Sequence, residues 1–202
     1  MDKDSYHSGT DRLTSSGAKE ILKSPAHYML RYGPRAKRPA PSAAMRFGTA
    51  VHMLILEGEE KFKQHVACRP DGLNLRTKAG KAEMEAFVQA SGIDAGMIFS
   101  QSDYDDMFWM RDAVWQHPVC AEILTDGYPE HYYQWEDAGT GAPCKALVDW
   151  TNDHCIVDLK TCQDASPDGF CKAVYNFKYH LSAMFYMMGD AQIHRSEIGW
   201  KN

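Results

Sequence analysis

The chain has 202 residues, 44% hydrophobic and 24% charged, and a net charge of −5. That length can bury one core, and the balance is that of a globular domain, not of a fibrous or disordered chain. The acidic total excludes a protein that coats nucleic acid indiscriminately. The longest apolar run, Val51 to Leu56 with His52 inside it, falls far short of a membrane span. The opening Met1-Asp-Lys-Asp-Ser-Tyr-His has no apolar segment of the secretory kind, so a cytoplasmic setting with reduced thiols is expected. No two of the six cysteines are spaced as C-x-x-C, which argues against a cysteine-ligated metal or cluster.

Charge is unevenly distributed. Ile21 to Leu56 contains Lys23, Arg31, Arg35, Lys37, Arg38 and Arg46 but no Asp or Glu. Such a strip in an acidic chain suits phosphate contact, with Arg35, Lys37, Arg38 and Arg46 as the candidate residues. A solvated basic loop is the alternative.

In chain order, Ser15 or Ser16 is placed to cap a helix through Lys23, and Pro25 to open a second reaching about Tyr32. Gly33 to Pro41, with three prolines, predicts an extended connector. Helical periodicity returns from Ala43 to Leu56 through Ala44, Phe47, Val51, Leu54 and Ile55. His52 lies one turn beyond Gly48, where a small residue leaves room for a ligand or backbone to approach the imidazole. A hydrogen-bonded core histidine is the other reading. Lys63 to Arg76 reads as irregular or weakly β. Lys78 to Ala90 predicts a helix stopped by Gly92. Ser102 caps another that ends at Pro118 and buries Met107, Met110, Ala113 and Val114. Val119 to Leu124 adds a short helix.

The texture then changes. Glu130 to Trp135, Pro143 to Trp150 and Cys155 to Lys160 read as strands, with a turn at Asp137-Ala-Gly-Thr-Gly. Ser166-Pro167 opens a helix to about Tyr175, and a further helix carries Tyr179, Ser182, Tyr186 and Met187. Ile198-Gly-Trp200 begins another strand. The expected class is α+β, or a compact α/β sandwich: a small mixed sheet flanked by helices. A single domain, 1–202, is expected, mainly helical over 1–127 and built on a sheet core over 128–202.

The second and third strands flank Thr151-Asn152-Asp153-His154, a cluster of turn formers. An even-numbered loop centred there pairs Asp149 with Ile156 and Leu147 with Asp158. Asp149, Asp158 and Lys160 then share one face, the two aspartates diagonal to each other, opposite a core face of Val148, Trp150, Val157 and Leu159. Two carboxylates able to converge on one cation suit a divalent metal, which polarises a scissile phosphate and acidifies an attacking water. Lys160 beside them adds a point charge, or a base if its pKa is depressed. Glu130, on the preceding strand, is a candidate for a second metal or its water. A surface ion-pair ladder is the competing reading.

Asp149, a hairpin, then Asp158-Leu159-Lys160-Thr161 resembles the signature of the PD-(D/E)XK nuclease superfamily. A wider set resembles its phage- and prophage-encoded RecE/exonuclease VIII-type branch. That set comprises Leu13-Thr-Ser-Ser-Gly-Ala-Lys, Ser24-Pro-Ala-His-Tyr, Phe47-Gly-Thr-Ala-Val-His52, Glu130, Cys144-Lys-Ala, Asp149-Trp150, Phe170 and Tyr179-His to Phe185-Tyr186. The resemblance implies a restriction-endonuclease-like core. It implies metal ligation by His52, Asp149, Asp158 and the Leu159 carbonyl, with Lys160 assisting the water and Mg2+ or Mn2+ as cofactor. It further implies 5′-to-3′ resection of linear duplex DNA in a bacterial host, a RecT-like annealing partner and a ring of subunits. Tyr179, Ser182 and Tyr186 would flank the DNA.

Ser182 stands where relatives have Gln, Leu147 where they have Arg, and relatives continue past the position of Asn202. These departures favour an alternative, a nuclease-like binding module acting as a phage inhibitor or regulator with reduced or no cutting.

Overall fold

A computed structural model describes residues 11–36 and 39–197. The architecture is mixed helix and sheet, α+β as the sequence predicts. The chain packs as two compact units: Ala40–Asp126, and the described parts of Met1–Pro39 and Gly127–Asn202 together. Among the described residues no helix is long and apolar enough to cross a membrane. All six cysteines are free thiols.

The first unit to close in sequence, Ala40–Asp126, is mainly helical. Helices α1 (Ser15–Lys23) and α2 (Pro25–Tyr32) precede it in the chain, and its own series begins with α3 (Ala43–His52). There the helix does not continue as an α-helix to Leu56. It widens into a π-helical turn, Met53–Glu57, which buries Leu54, Ile55 and Leu56 in succession and ends at Gly58 with φ 94°. The Trp115 indole N–H donates to the Ile55 carbonyl at 3.2 Å, satisfying an acceptor in that irregular stretch. π-turns occur mostly as single turns and often at functional positions.

Helix α4 (Glu59–His65) follows and takes in Lys63 to His65, the start of the stretch expected to be irregular or weakly β. It buries one side chain, Phe62, which lies edge-on to Phe108 with ring centroids 5.6 Å apart. Strands β1 (Ala67–Cys68) and β2 (Ile98–Phe99) pair in parallel. Between them α5 (Lys78–Ser91) stops at Gly92, whose φ of 67° suits glycine. Helix α6 (Gln101–Gln116) starts at an Ser100 cap, two residues before the expected one, and buries Met107 fully. Helix α7 (Pro118–Ile123) completes the unit.

The other unit holds a three-stranded antiparallel sheet in the order β3 (Tyr128–Glu136), β4 (Pro143–Thr151), β5 (Ile156–Val157). Leu13 adds a parallel bridge beside Cys144, donating to the Pro143 carbonyl at 2.8 Å and accepting from the Lys145 amide at 2.9 Å. Helix α1 is capped by Thr14, whose hydroxyl accepts from the Gly17 amide, one residue earlier than the serines suggest. Ser24 caps α2 with Pro25 in its first turn. Ser166 caps α8 (Pro167–Phe177), which gives way to α9 (Tyr179–Glu197) through Lys178 at φ 54°. The expected strand at Ile198-Gly-Trp200 lies outside the described residues.

Helix α9 packs on β3 and β4 and on α1. Under it lie Tyr133, Trp135, Cys144, Ala146 and Val148, closed by Leu13, Phe185, Tyr186 and Ile193. Trp135 meets Phe185 at 4.9 Å and runs so close to Gly189 that a Cβ there would stand 2.7 Å from the ring. Burying such large side chains stabilises the unit by about 1.5–3 kcal/mol each.

A candidate carboxylate site with a half-buried lysine

The hairpin that carries the site is shifted by two residues from the expected register. Thr151 pairs with Ile156 and Trp150 with Val157, so the loop is Asn152 to Cys155. The cause is the Asn152 side chain, whose Oδ1 accepts from the amides of His154 and Cys155, both at 2.9 Å, while the Asn152 main-chain N–H donates to the Cys155 carbonyl. The loop length stays even. The ladder ends at the Trp150–Val157 pair, and Asp149 and Asp158 are the next residues beyond it on the two arms of the hairpin.

Strict alternation also fails here, so the acids do not stand opposite the core face. Val148 belongs to the cluster under α9, yet Ile156, the partner of Thr151, packs on that same cluster. The Tyr133 hydroxyl donates to Asp190 Oδ1 of α9 at 3.2 Å and meets Thr151 Oγ1 at 3.3 Å. Asp158 lines a cavity of about 410 Å3 together with Thr151, Ile156, Tyr186, Met187 and Asp190. The pleat therefore turns at Asp149. Across from it, between the pairs Pro129–Trp150 and His131–Val148, sits Glu130 with φ 52°. A non-glycine residue in that region costs on the order of 1–2 kcal/mol, and such strain collects at functional sites.

The result is a compact charged cluster beneath the first turns of α9. The Lys160 ammonium donates to Asp158 Oδ1 and to the Leu159 carbonyl (3.1 Å) and lies 3.5 Å from Asp149 Oδ2. The side chains are 25%, 19% and 17% exposed for Lys160, Asp158 and Asp149. Burial alone pulls Lys160 down, but Asp149 and Asp158 outweigh it and hold the ammonium above its ordinary value. Asp158 is pushed up, first by burial and also by the like charge of Asp149, despite the pull of Lys160. Asp149 and Asp158 thus stand beside Lys160 in a poorly solvated place.

The donors fit a hard divalent ion. Two carboxylates and a main-chain carbonyl, all oxygen, already converge on one cationic atom, the Lys160 Nζ. No group of three or more His, Cys, Asp or Glu side chains among the described residues is assembled to hold a metal by itself.

The remaining sequence candidates divide. Tyr179 and Tyr186 do flank the cluster: Lys160 Nζ lies 5.7 Å from the Tyr179 ring centroid, and burial, with the Asp158 charge, raises the Tyr186 hydroxyl. Ser182 is buried between them. Arg35 is exposed. Lys37 and Arg38 lie outside the described residues. Arg46 belongs to the Ala40–Asp126 unit, where its guanidinium donates to the Pro41 carbonyl. His52, partly buried, ends α3 in that same unit, immediately before the π-turn.

Sequence reasoning missed Lys19. Ser15 and Lys19 sit one turn apart on α1. The Ser15 hydroxyl contacts the Tyr186 hydroxyl at 3.5 Å, and Lys19 Nζ lies 5.7 Å from the Tyr179 ring centroid. Burial lowers its pKa, with Asp158 opposing and Lys160 assisting. Lys19 thus brings a second ammonium to the cluster. The available signal was its place at the end of the Leu13-Thr-Ser-Ser-Gly-Ala-Lys stretch, which was given no site role.

No curated protein matches the chain significantly. A family model described as a PDDEXK-like domain of unknown function (DUF3799) matches residues 14–199, from the cap of α1 through both aspartates, Lys160 and α9. The chain belongs to that PDDEXK-like family and has its nuclease-type fold.

Proposed function

We propose that this protein is a divalent-metal-dependent deoxyribonuclease that hydrolyses phosphodiester bonds. The observation that carries the reading is the convergence of Asp149, Asp158 and the Leu159 carbonyl around one ammonium. Asp149, Asp158 and that carbonyl would hold Mg2+ or Mn2+. The ion would supply a Lewis acid that withdraws charge from the scissile phosphate and acidifies water.

The chain's own residues do the rest. Lys160, beside the two acids, offers a positive charge where negative charge grows on the phosphate. Lys19, on the facing helix, binds a phosphate oxygen next to that position. Tyr186 and Ser15 close the rear of the site and limit water. The cavity beside Asp158 gives a nucleotide room next to the carboxylates. Exposed Arg35 adds positive charge for the backbone of a longer substrate.

The finer reading extends the family resemblance: exonucleolytic 5′-to-3′ cutting of linear duplex DNA by a ring of subunits, leaving a strand for a RecT-like annealing partner. A second reading, a nuclease-like binding module, is favoured by one observation. Position 182, between Tyr179 and Tyr186, carries a short, buried Ser in place of the pattern's Gln.

Incubation with linear and with circular duplex DNA, in Mg2+, in Mn2+ and in chelator, separates these readings. Metal-dependent loss of the linear form, absent in Asp158→Asn, is expected. Retention of both forms with DNA bound would establish the binding module.

A further inference from the structure

Beside the charged cluster lies an apolar feature that hydrolysis does not use. Helix α8 ends at Phe177, Lys178 takes the left-handed conformation at φ 54°, and α9 begins at Tyr179. That turn stacks the Phe177 and Tyr179 rings, with centroids 5.7 Å apart and planes 22° from parallel. Phe170, one side of the same group, meets Tyr179 at 6.3 Å. Phe177 is 61% exposed although one face rests on Tyr179, so its other face is open to solvent. The Lys19 and Lys160 ammoniums each lie 5.7 Å from the Tyr179 centroid. An open aromatic face therefore continues a stack whose inner member adjoins two cations and the catalytic acids.

We propose that Phe177 is a stacking platform for an unpaired nucleobase of single-stranded or frayed DNA, whose phosphate is held by Lys19. This rests on the nuclease reading above and specifies its substrate: a strand end whose base has left the duplex. A π-face beside ammonium groups is the combination that binds single strands without reading sequence, because every base has a π-face and every nucleotide a phosphate. A water-exposed phenyl ring with no ligand keeps apolar surface in solvent. A base covering it removes that surface from water and leads its phosphate toward Lys19 and Lys160. The left-handed Lys178, unfavourable for a lysine backbone, holds the two rings in line.

The test uses the full chain, in chelator so that nothing is cut, and short single-stranded oligodeoxynucleotides carrying 2-aminopurine at one end. Stacking on the wild-type protein should quench the aminopurine fluorescence. Phe177→Ala should abolish the quench and weaken single-strand affinity roughly ten- to hundredfold, with blunt duplex affinity changed far less. Phe177→Trp should keep the quench. Phe177 is exposed at a helix end, so both variants fold, and matching melting temperatures check this. Absence of quenching in the wild type, or equal quenching in Phe177→Ala, overturns the proposal. The two readings fail separately: a protein that cuts no DNA in any metal can still quench, and one that cuts normally can fail to.

Discussion

One helix, α9, covers two unlike ends of the same sheet. Toward its C-terminal half, Phe185, Gly189 and Ile193 close over Tyr133, Trp135, Cys144 and Ala146, a tightly packed and mostly apolar contact. Toward its N-terminus, Tyr179, Ser182 and Tyr186 lie over Asp149, Asp158 and Lys160, where burial opposes charge. The apolar end is built from side chains whose best place is inside. The charged end holds groups that a stable core would exclude, kept there by the packing next door. Division of labour along one helix explains how a small sheet can carry a costly site.

Substitutions at the two ends should separate stability from chemistry. Trp135→Ala, at the apolar end, should lower unfolding free energy by about 3–5 kcal/mol in denaturant titrations. Asp158→Asn, at the charged end, should reduce DNA hydrolysis about a hundred- to thousandfold while leaving the circular dichroism spectrum intact. Gly189→Ala forces a methyl group against the Trp135 ring and should cost about 1–3 kcal/mol, read as a lower melting temperature, with little change in hydrolysis per folded molecule. Lys19→Gln should weaken DNA binding roughly tenfold and lower the slope of log affinity against log salt by about one. Lys178→Gly, relieving the left-handed backbone, should stabilise by only about 0.5 kcal/mol.

Local signals were readable where local chemistry decides. Ser24-Pro25, Gly92 and Ser166-Pro167 mark helix ends in the sequence and in the fold alike. The even hairpin loop and the nearness of Asp149, Asp158 and Lys160 were also readable. The register was not, because the Asn152 side chain bonds two amides of the loop and draws Thr151 into the strand. Glu130 takes a positive φ across from Asp149, and strand periodicity carries no sign of it. Helix α4 buries a single side chain, too little for a periodic pattern. The π-turn after His52 has the same apolar letters as an α-helix. Lys19 meets Tyr179 from a distant part of the chain, a pairing that only the fold creates.

Manganese titration followed by the paramagnetic resonance of the free ion addresses the acid pair without requiring any DNA to be cut. The wild-type protein should take up Mn2+, and the Asp149→Asn/Asp158→Asn double variant, with an unchanged helical spectrum, should take up none. Equal uptake by both proteins, or none by the wild type, would contradict a divalent cation at these carboxylates.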